Sequence, residues 1–180
     1  MGFTDGVDKI TGDLVSEPDW NNYMGAAGSI NHLHDVACQI WVPVTQAKTG
    51  GVDAVLVGKG NFAVANLTGA NDRAIMNFFV PAEYSSLTSA EIIVIPKTTD
   101  GAVNWDLYSD YGAVGQAFNT HDESDLVTTY DVTADQLFAV DASGVLTSLA
   151  ANDFVGLQLL LGDAADDLYV IGALIKYVSA

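Results

Sequence analysis

Hydrophobic and polar positions follow short, strand-like patterns over most of this chain. From Val36 onward, apolar residues either alternate with polar ones or form brief continuous runs. Alternation predicts a β-strand covered on one face, and a continuous run such as Ile40–Val44 predicts a strand covered on both. The predicted strands are 36–45, 52–57, 61–67, 74–80, 91–96, 103–108, 126–132, 136–140, 154–161 and 168–178.

Turn-forming residues separate these strands, as in Gly58-Lys59-Gly60 and Thr99-Asp100-Gly101. Short strands at this spacing predict a mainly β domain over residues 36–180. About eight to ten strands in one domain favour a two-sheet antiparallel jelly roll, or β-sandwich, over an immunoglobulin-like fold.

The N-terminal segment, residues 1–35, has a different pattern, which predicts an arm followed by a short helix. Ser16 can cap a helix, Pro18 suits its first turn, and Asp19 lies where a capping box places an acid. We expect the helix to run from near Glu17 to near His34. Steps of three and four residues give it one apolar stripe, made of Trp20, Tyr23, Ala27 and Ile30.

This stripe has two possible partners. It can pack on the β-domain of its own chain, or it can dock on another protein or on symmetry-related copies. Gly25 and Gly28 weaken an isolated helix by about 1 kcal/mol each relative to alanine, but they permit another backbone to come close. Residues 1–35 are therefore predicted to be a docking or oligomerisation segment that makes its contacts through the stripe.

The charge of the chain disfavours several kinds of partner. The 180 residues include 23 Asp+Glu and only 6 Lys+Arg, which gives a net charge of −17. Such a surface repels phosphate backbones and anionic lipid, so we expect neither nucleic-acid nor membrane binding. No apolar run approaches the length of a transmembrane helix, and the N-terminus lacks a signal-peptide pattern. Synthesis in a cytoplasm is expected.

No motif indicates catalysis or a resident cofactor. The sequence contains no G-x-S-x-G, dinucleotide-binding or P-loop pattern, and its one cysteine, Cys38, lies in an apolar stretch where a buried thiol is expected. His32 and His34 fall near the predicted helix end, where a spacing of two does not bring both rings to one ion. The carboxylates of 120–125 and 162–167 are predicted to lie in solvated loops; calcium binding by these loops stays open as an alternative, although neither has the EF-hand spacing. We therefore expect no enzyme, no metal and no cofactor.

One stretch, residues 104–111, combines aromatic side chains with Asp and Asn. Aromatic rings can stack on a sugar while the polar groups bind its hydroxyls. In a strand, Trp105 shares one face with Leu107, and Asp106 shares the other with Tyr108. Two interpretations stay open. The first is a glycan site made of Trp105, Asp106, Tyr108 and Tyr111; the second places Trp105 in the core and Tyr108 at the surface.

Four short segments are similar in kind to parts of known virion proteins. They are Asp19–Asn22, which opens the helix; Phe78–Pro81, followed by Glu91–Pro96; Asp153–Gly156, the entry to a late strand; and Gly172–Tyr177, in the last strand. Through them the chain resembles the jelly-roll decoration, fibre and tail-associated structural proteins of tailed double-stranded DNA viruses. The resemblance implies a homotrimer, contacts with other virion proteins, and a place in a virion made in the host cytoplasm.

Three hypotheses about function follow from these patterns. The leading one is a non-enzymatic virion structural protein, a capsid-decoration or fibre-type component that oligomerises and docks on a viral particle. The alternative is a carbohydrate-binding or host-receptor-binding module that uses residues 104–111. An enzyme, either a metal-dependent cupin or a glycoside hydrolase, has the least support, because no local motif indicates one.

Overall fold

A computed structural model of the protein describes residues 37–45, 54–162 and 167–179. The predicted N-terminal arm and helix lie outside the described residues. So do the four docking residues predicted on that helix, which are Trp20, Tyr23, Ala27 and Ile30, and the histidines His32 and His34.

The regular secondary structure of the described chain is almost entirely β-strand. They are β1 (Ala37–Pro43), β2 (Val55–Lys59), β3 (Phe62–Leu67), β4 (Arg73–Phe79), β5 (Tyr84–Pro96), β6 (Asp100–Ala113), β7 (His121–Val132), β8 (Phe138–Asp141), β9 (Asp153–Leu161) and β10 (Leu168–Ser179). One short 3-10 helix, Ser143–Val145, follows β8. Each strand overlaps one of the ten that the sequence predicts. Within the described ranges, no helix is long and apolar enough to cross a membrane.

The strands form two antiparallel sheets that pack face to face as a β-sandwich of the jelly-roll type, which confirms the predicted fold class. Sheet A has the order β2-β3-β10-β5-β8, with β1 also paired to β10. Sheet B has the order β4-β9-β6-β7. In sheet A the strand order departs from the chain order because β10 lies between β3 and β5. One of its edges pairs with β5, and the other pairs first with β3 and then with β1.

The core lies between the sheets and is filled by every second residue of the central strands. On β9, Val155, Leu157, Leu159 and Leu161 are buried, whereas the residues between them are more exposed. Trp105 of β6 is fully buried, and its ring stacks on Tyr130 at 5.3 Å between centroids. The period of two in the sequence therefore separates an inner from an outer face on each strand.

Two strands are longer than the sequence predicts. Strand β5 begins at Tyr84 rather than at Glu91, because a more polar first half pairs with the end of β10. Strand β7 begins at His121, so residues 121–125 belong to a strand and not to the predicted acidic loop. The hairpin with β6 continues through this region, where Asp110 pairs with Asp122. Charged residues are accepted in this strand because β7 is the edge of sheet B.

The environment of Cys38 also differs from the prediction of a buried thiol. The side chain is only partly buried, because it lies near the end of β1, opposite Tyr177 of β10. The continuous apolar run Ile40–Val44 was also expected to form a strand covered on both faces. Described residues cover only one face of this strand at Trp41. The Trp41 ring points outward and remains 49% exposed.

Candidate functional site

The outer face of sheet B carries a groove at the end where β4 finishes and β9 starts. Its volume is about 580 Å³. We name it the aromatic groove, and its lining residues are Asn77, Phe78, Phe79, Asp110, Phe118, Phe154, Val155 and Gly156.

The strand register explains how these side chains meet. Phe79 of β4 lies directly opposite Phe154 of β9, and their ring centroids are 5.0 Å apart. Both rings face solvent because their neighbours Phe78 and Val155 point into the core. Phe79 is 44% exposed and Phe154 is 54% exposed. The rings therefore form an apolar wall that no described residue covers.

The third ring comes from the loop between β6 and β7. Phe118 is 77% exposed. Its loop folds back over Gly112, where a Cβ atom would lie only 2.7 Å from the carbonyl oxygen of Ala117. Thr120 holds the same turn by donating from its backbone N and its Oγ1 to that oxygen, at 3.1 and 2.8 Å. Gly112 thus lets the loop place Phe118 at the edge of the groove.

The floor and one wall are polar. Asn77, Gly156 and Asp110 lie side by side on three adjacent strands. A Cβ atom on Gly156 would lie 3.5 Å from Asn77 Oδ1 and 3.7 Å from the Asp110 carbonyl oxygen, so a larger residue here would fill the floor. A smaller depression of about 110 Å³ continues along the face and shares Asp110 and Gly156. It adds the side chains of Tyr108 and Gln158.

Asp110 faces Asp122 on the neighbouring strand, and the two are direct cross-strand partners. Partial desolvation raises the pKa of the Asp110 carboxyl, and the charge of Asp122 raises it further. Like charges placed directly opposite destabilise a sheet. The aromatic groove therefore has a negatively charged rim.

The four predicted glycan-binding residues divide between the two faces of β6. Asp106 and Tyr108 lie on the outer face, and Tyr108 lines the smaller depression. Trp105 and Tyr111 are fully buried on the inner face. Their rings are therefore turned away from the groove. Trp105 lies in the core, as one of the two interpretations of the sequence placed it.

Tyr111 instead belongs to a hydrogen-bond network with Glu123 that runs from the buried Tyr111 side chain to exposed residues at the surface. Its hydroxyl donates to Glu123 Oε1 at 2.5 Å, and burial together with this bond raises the pKa of Tyr111 well above its ordinary value. The Glu123 carboxylate also accepts from Thr147 N at 2.8 Å, Thr147 Oγ1 at 2.9 Å and Ser148 N at 3.3 Å. Burial alone would raise the pKa of Glu123, but these hydrogen bonds outweigh it and hold the pKa below its ordinary value. The network ties β7 to the segment after the 3-10 helix.

The outer face of sheet A carries a second, more apolar groove of about 460 Å³. Trp41, Phe62 and Leu137 line it and are 49%, 48% and 61% exposed. The Trp41 ring crosses Gly172, where a Cβ atom would lie 2.9 Å from Trp41 Cζ2. Asn61 is the polar side chain in this lining, so the surface offers fewer hydrogen bonds than the aromatic groove.

Among the described residues, no group of three or more His, Cys, Asp or Glu side chains is placed to hold a metal ion. Asp122 and Glu123, which the sequence places in one acidic cluster, point to opposite faces of β7. Asp122 pairs with Asp110 on the outer face of β6, whereas Glu123 pairs with Ser109 on its inner face.

Sequence reasoning missed the phenylalanines of the groove, although the pattern contains a signal for them. Phe78 and Phe79 are adjacent in a strand, so one of the two rings must point outward. The same holds for Phe154 beside Val155. Phe118 offers no such signal, because only the fold of its loop brings it to the groove.

No protein-family model matches this chain, and no curated protein matches it. Among solved structures, it is similar to the CBM35 carbohydrate-binding module from Cellvibrio japonicus Abf62, with 14% identity and a TM-score of 0.40 over 78% of this chain and 95% of that one.

Two further structures give a similar result. One is the CBM36-1 domain of a multidomain xylanase from the hindgut metagenome of Trinervitermes trinervoides, with 9% identity and a TM-score of 0.40 over 79% of this chain and 99% of that one. The other is a carbohydrate-binding module CBM36 in complex with calcium and xylotriose, with 15% identity and a TM-score of 0.40 over 77% and 98%. At these values the likenesses do not indicate what this chain binds.

Proposed function

We propose that this protein is a non-catalytic binding module that holds a sugar chain in the aromatic groove of sheet B. One observation carries the proposal. Three exposed phenylalanine rings and two polar side chains, Asn77 and Asp110, converge on one groove of about 580 Å³. A pyranose ring has apolar C–H faces and a polar edge, so it needs an aromatic wall beside hydrogen-bonding groups.

The shape of the groove favours an oligosaccharide over a single sugar. The smaller depression extends the aromatic groove toward Tyr108 and Gln158. From Phe154 to Gln158 the strand advances four residues, which is about 13 Å. A ligand of several units would place one ring against the phenylalanines and reach the polar side chains with the next.

The positions of the carboxylates favour binding without hydrolysis. Asp110 and Asp122 are a close pair on one outer face. Glycoside hydrolysis needs two carboxyl groups that flank the scissile bond. Side chains that rise together from one open sheet would meet the sugar from a single side, so we propose that they contribute hydrogen bonds and charge only.

The test is oligosaccharide binding by isothermal titration calorimetry, after a glycan array has identified a ligand. Phe154→Ala should weaken binding about tenfold, equivalent to about 1.4 kcal/mol for one lost stacking contact. Phe62→Ala is the matched control, because Phe62 is similarly exposed but lies in the groove of sheet A. Gly156→Val should abolish binding by filling the floor. An array without a hit, or equal losses in Phe154→Ala and Phe62→Ala, would contradict the proposal.

The virion role stays a separate proposal that comes from the sequence. In it, the protein oligomerises as a trimer through the stripe of Trp20, Tyr23, Ala27 and Ile30, and docks on a viral particle. Light scattering on the 180-residue chain tests it. A trimer that Trp20→Ala converts into a folded monomer would support the role, and a wild-type monomer would count against the trimer.

A further inference from the structure

We infer that the aromatic groove selects a sugar that carries a positively charged amino group, such as an unacetylated 2-amino sugar. This inference rests on the proposed sugar binding and adds the chemical class of the ligand. The groove already supplies the rings that would cover a pyranose face. Its distinguishing feature is the pair Asp110 and Asp122 beside those rings.

The two carboxylates are in an unfavourable arrangement when the groove is empty. They are direct cross-strand partners on the same face, where like charges repel. Asp110 also lines both depressions, so a ligand in either lies against it. Partial desolvation and the charge of Asp122 raise the pKa of Asp110, and a bound cation would oppose this shift. An ammonium group would therefore relieve the repulsion and gain a charge-assisted hydrogen bond.

No described residue near the pair supplies this positive charge. Apart from Asp122, the neighbours that share the outer face with Asp110 are neutral: Asn77, Gly156 and Gln158 across the strands, Tyr108 and Ser124 further along, and Phe118 in the loop. That face has one basic residue in the described chain, Arg73. It lies four residues along β4 from Asn77, which is about 13 Å.

The lysines of the described chain are placed elsewhere. Ion pairs join Lys59 to Asp135, Lys97 to Asp167 and Lys176 to Glu91, and every lysine in these pairs belongs to sheet A or directly follows one of its strands. Sheet B therefore presents a negative outer face, and the charge of a uronic acid or a sulfated sugar would be repelled there.

The aromatic rings favour the same ligand. The face of a phenylalanine ring attracts a cation within about 6 Å of its centroid. Phe118 and Phe154 are 77% and 54% exposed and line the groove together with Asp110. An amino sugar could thus place its C–H face on one ring while its ammonium lies between a ring and a carboxylate.

The experiment compares two oligosaccharides of equal length and linkage, a β-1,4-linked glucosamine tetramer and its fully N-acetylated form. Titration calorimetry at pH 6 and about 0.15 M salt keeps the amine protonated and screens distant charges. We expect the glucosamine tetramer to bind about tenfold more tightly, the size of one charge-assisted hydrogen bond. Asp110→Asn should remove this preference, and Asp122→Asn should reduce it.

The control separates a local contact from general attraction to an acidic protein. Asp131→Asn removes one negative charge from the same strand as Asp122, nine residues away, which is about 30 Å. We expect this variant to keep the wild-type preference. An equal loss in Asp131→Asn and Asp110→Asn would overturn the inference, because the preference would then come from net charge.

The remaining outcomes distinguish the inference from the proposed function. If both tetramers, or neutral oligosaccharides on an array, bind equally well through Phe154, the proposed function stands and the amino-sugar inference is wrong. If no oligosaccharide binds, the proposed function fails and the inference fails with it.

Discussion

Replacing Glu123 with glutamine should destabilise the sandwich, although the side chain keeps its size. The carboxylate accepts four hydrogen bonds: at Oε1 from Tyr111 Oη, Thr147 Oγ1 and Ser148 N, and at Oε2 from Thr147 N. Glutamine can place its carbonyl oxygen at one of these positions only. Its amide NH₂ then meets another donor at the second position, so at least one bond is lost and the rest lose the help of the charge.

The expected cost is about 2 kcal/mol, because hydrogen bonds to charged groups contribute about 1.5–3 kcal/mol and part of this network is exposed to solvent. If the free energy of unfolding falls by about 2 kcal/mol per molar urea, the urea concentration at the midpoint of unfolding should fall by about 1 M. Equilibrium unfolding in urea, followed by far-UV circular dichroism, measures this shift at pH 7.

The pH dependence has a definite sign. The pKa of Glu123 in the folded protein is below the ordinary value of 4.5. A carboxyl whose pKa is lowered on folding stabilises the protein at pH values above 4.5, and this contribution is lost as the pH falls toward the folded pKa. The difference between wild type and Glu123→Gln should therefore be largest at pH 7 and should shrink below pH 4.5.

Glu83→Gln is the matched control, because it makes the same chemical change at an exposed position between β4 and β5. It should leave the midpoint unchanged within about 0.3 M, since surface changes usually stay within about 0.5 kcal/mol. Equal midpoints for the two variants at pH 7, or a difference that grows in acid, would refute the role given to the Glu123 network.

Two further predictions concern packing. In Gly172→Ala the new Cβ would clash with the carbonyl oxygen of Val42, so the β1–β10 ladder must shift, and the cost should be about 1–3 kcal/mol in urea unfolding. Gly101→Ala should be nearly neutral in the same assay, because its Cβ would meet no atom within 4 Å. Trp105→Ala removes a fully buried indole and should cost about 3–5 kcal/mol in the same assay, and the half-exposed Trp41→Ala less than half of that. Equal costs for Gly172→Ala and Gly101→Ala would contradict the close contact between Gly172 and Val42. Equal costs for Trp105→Ala and Trp41→Ala would contradict the difference in burial between the two indoles.

The fold could be predicted from the sequence because its main signal is local. Alternation along β9, and the turn residues between strands, identify ten strands and a two-layer β architecture without any knowledge of pairing. Boundaries were less accurate where polar residues interrupt the alternation. In β6, Ser109 lies on the inner face, where its hydroxyl is tolerated because it donates to the Val145 carbonyl, a contact 36 residues away that no local pattern contains.

The candidate site could be predicted only in part, for a related reason. The outward direction of Asp106 and Tyr108 follows from the period of a strand, and both lie on the outer face. The aromatic groove, in contrast, joins Phe79, Phe118 and Phe154, which lie far apart in the sequence. The order of strands in sheet B brings Phe79 and Phe154 together, and the fold of the loop between β6 and β7 adds Phe118. Neither is encoded in the alternation of any one segment.

The position of β10 inside sheet A has a consequence for how the protein is made. This strand is the last of the ten along the chain, yet β1, β3 and β5 all take hydrogen bonds from it. Until residues 168–179 leave the ribosome, those three strands have no partner along one edge. The domain therefore cannot complete its folding before residues 168–179 have been synthesised, and its distant pairings favour slow folding, in milliseconds to seconds.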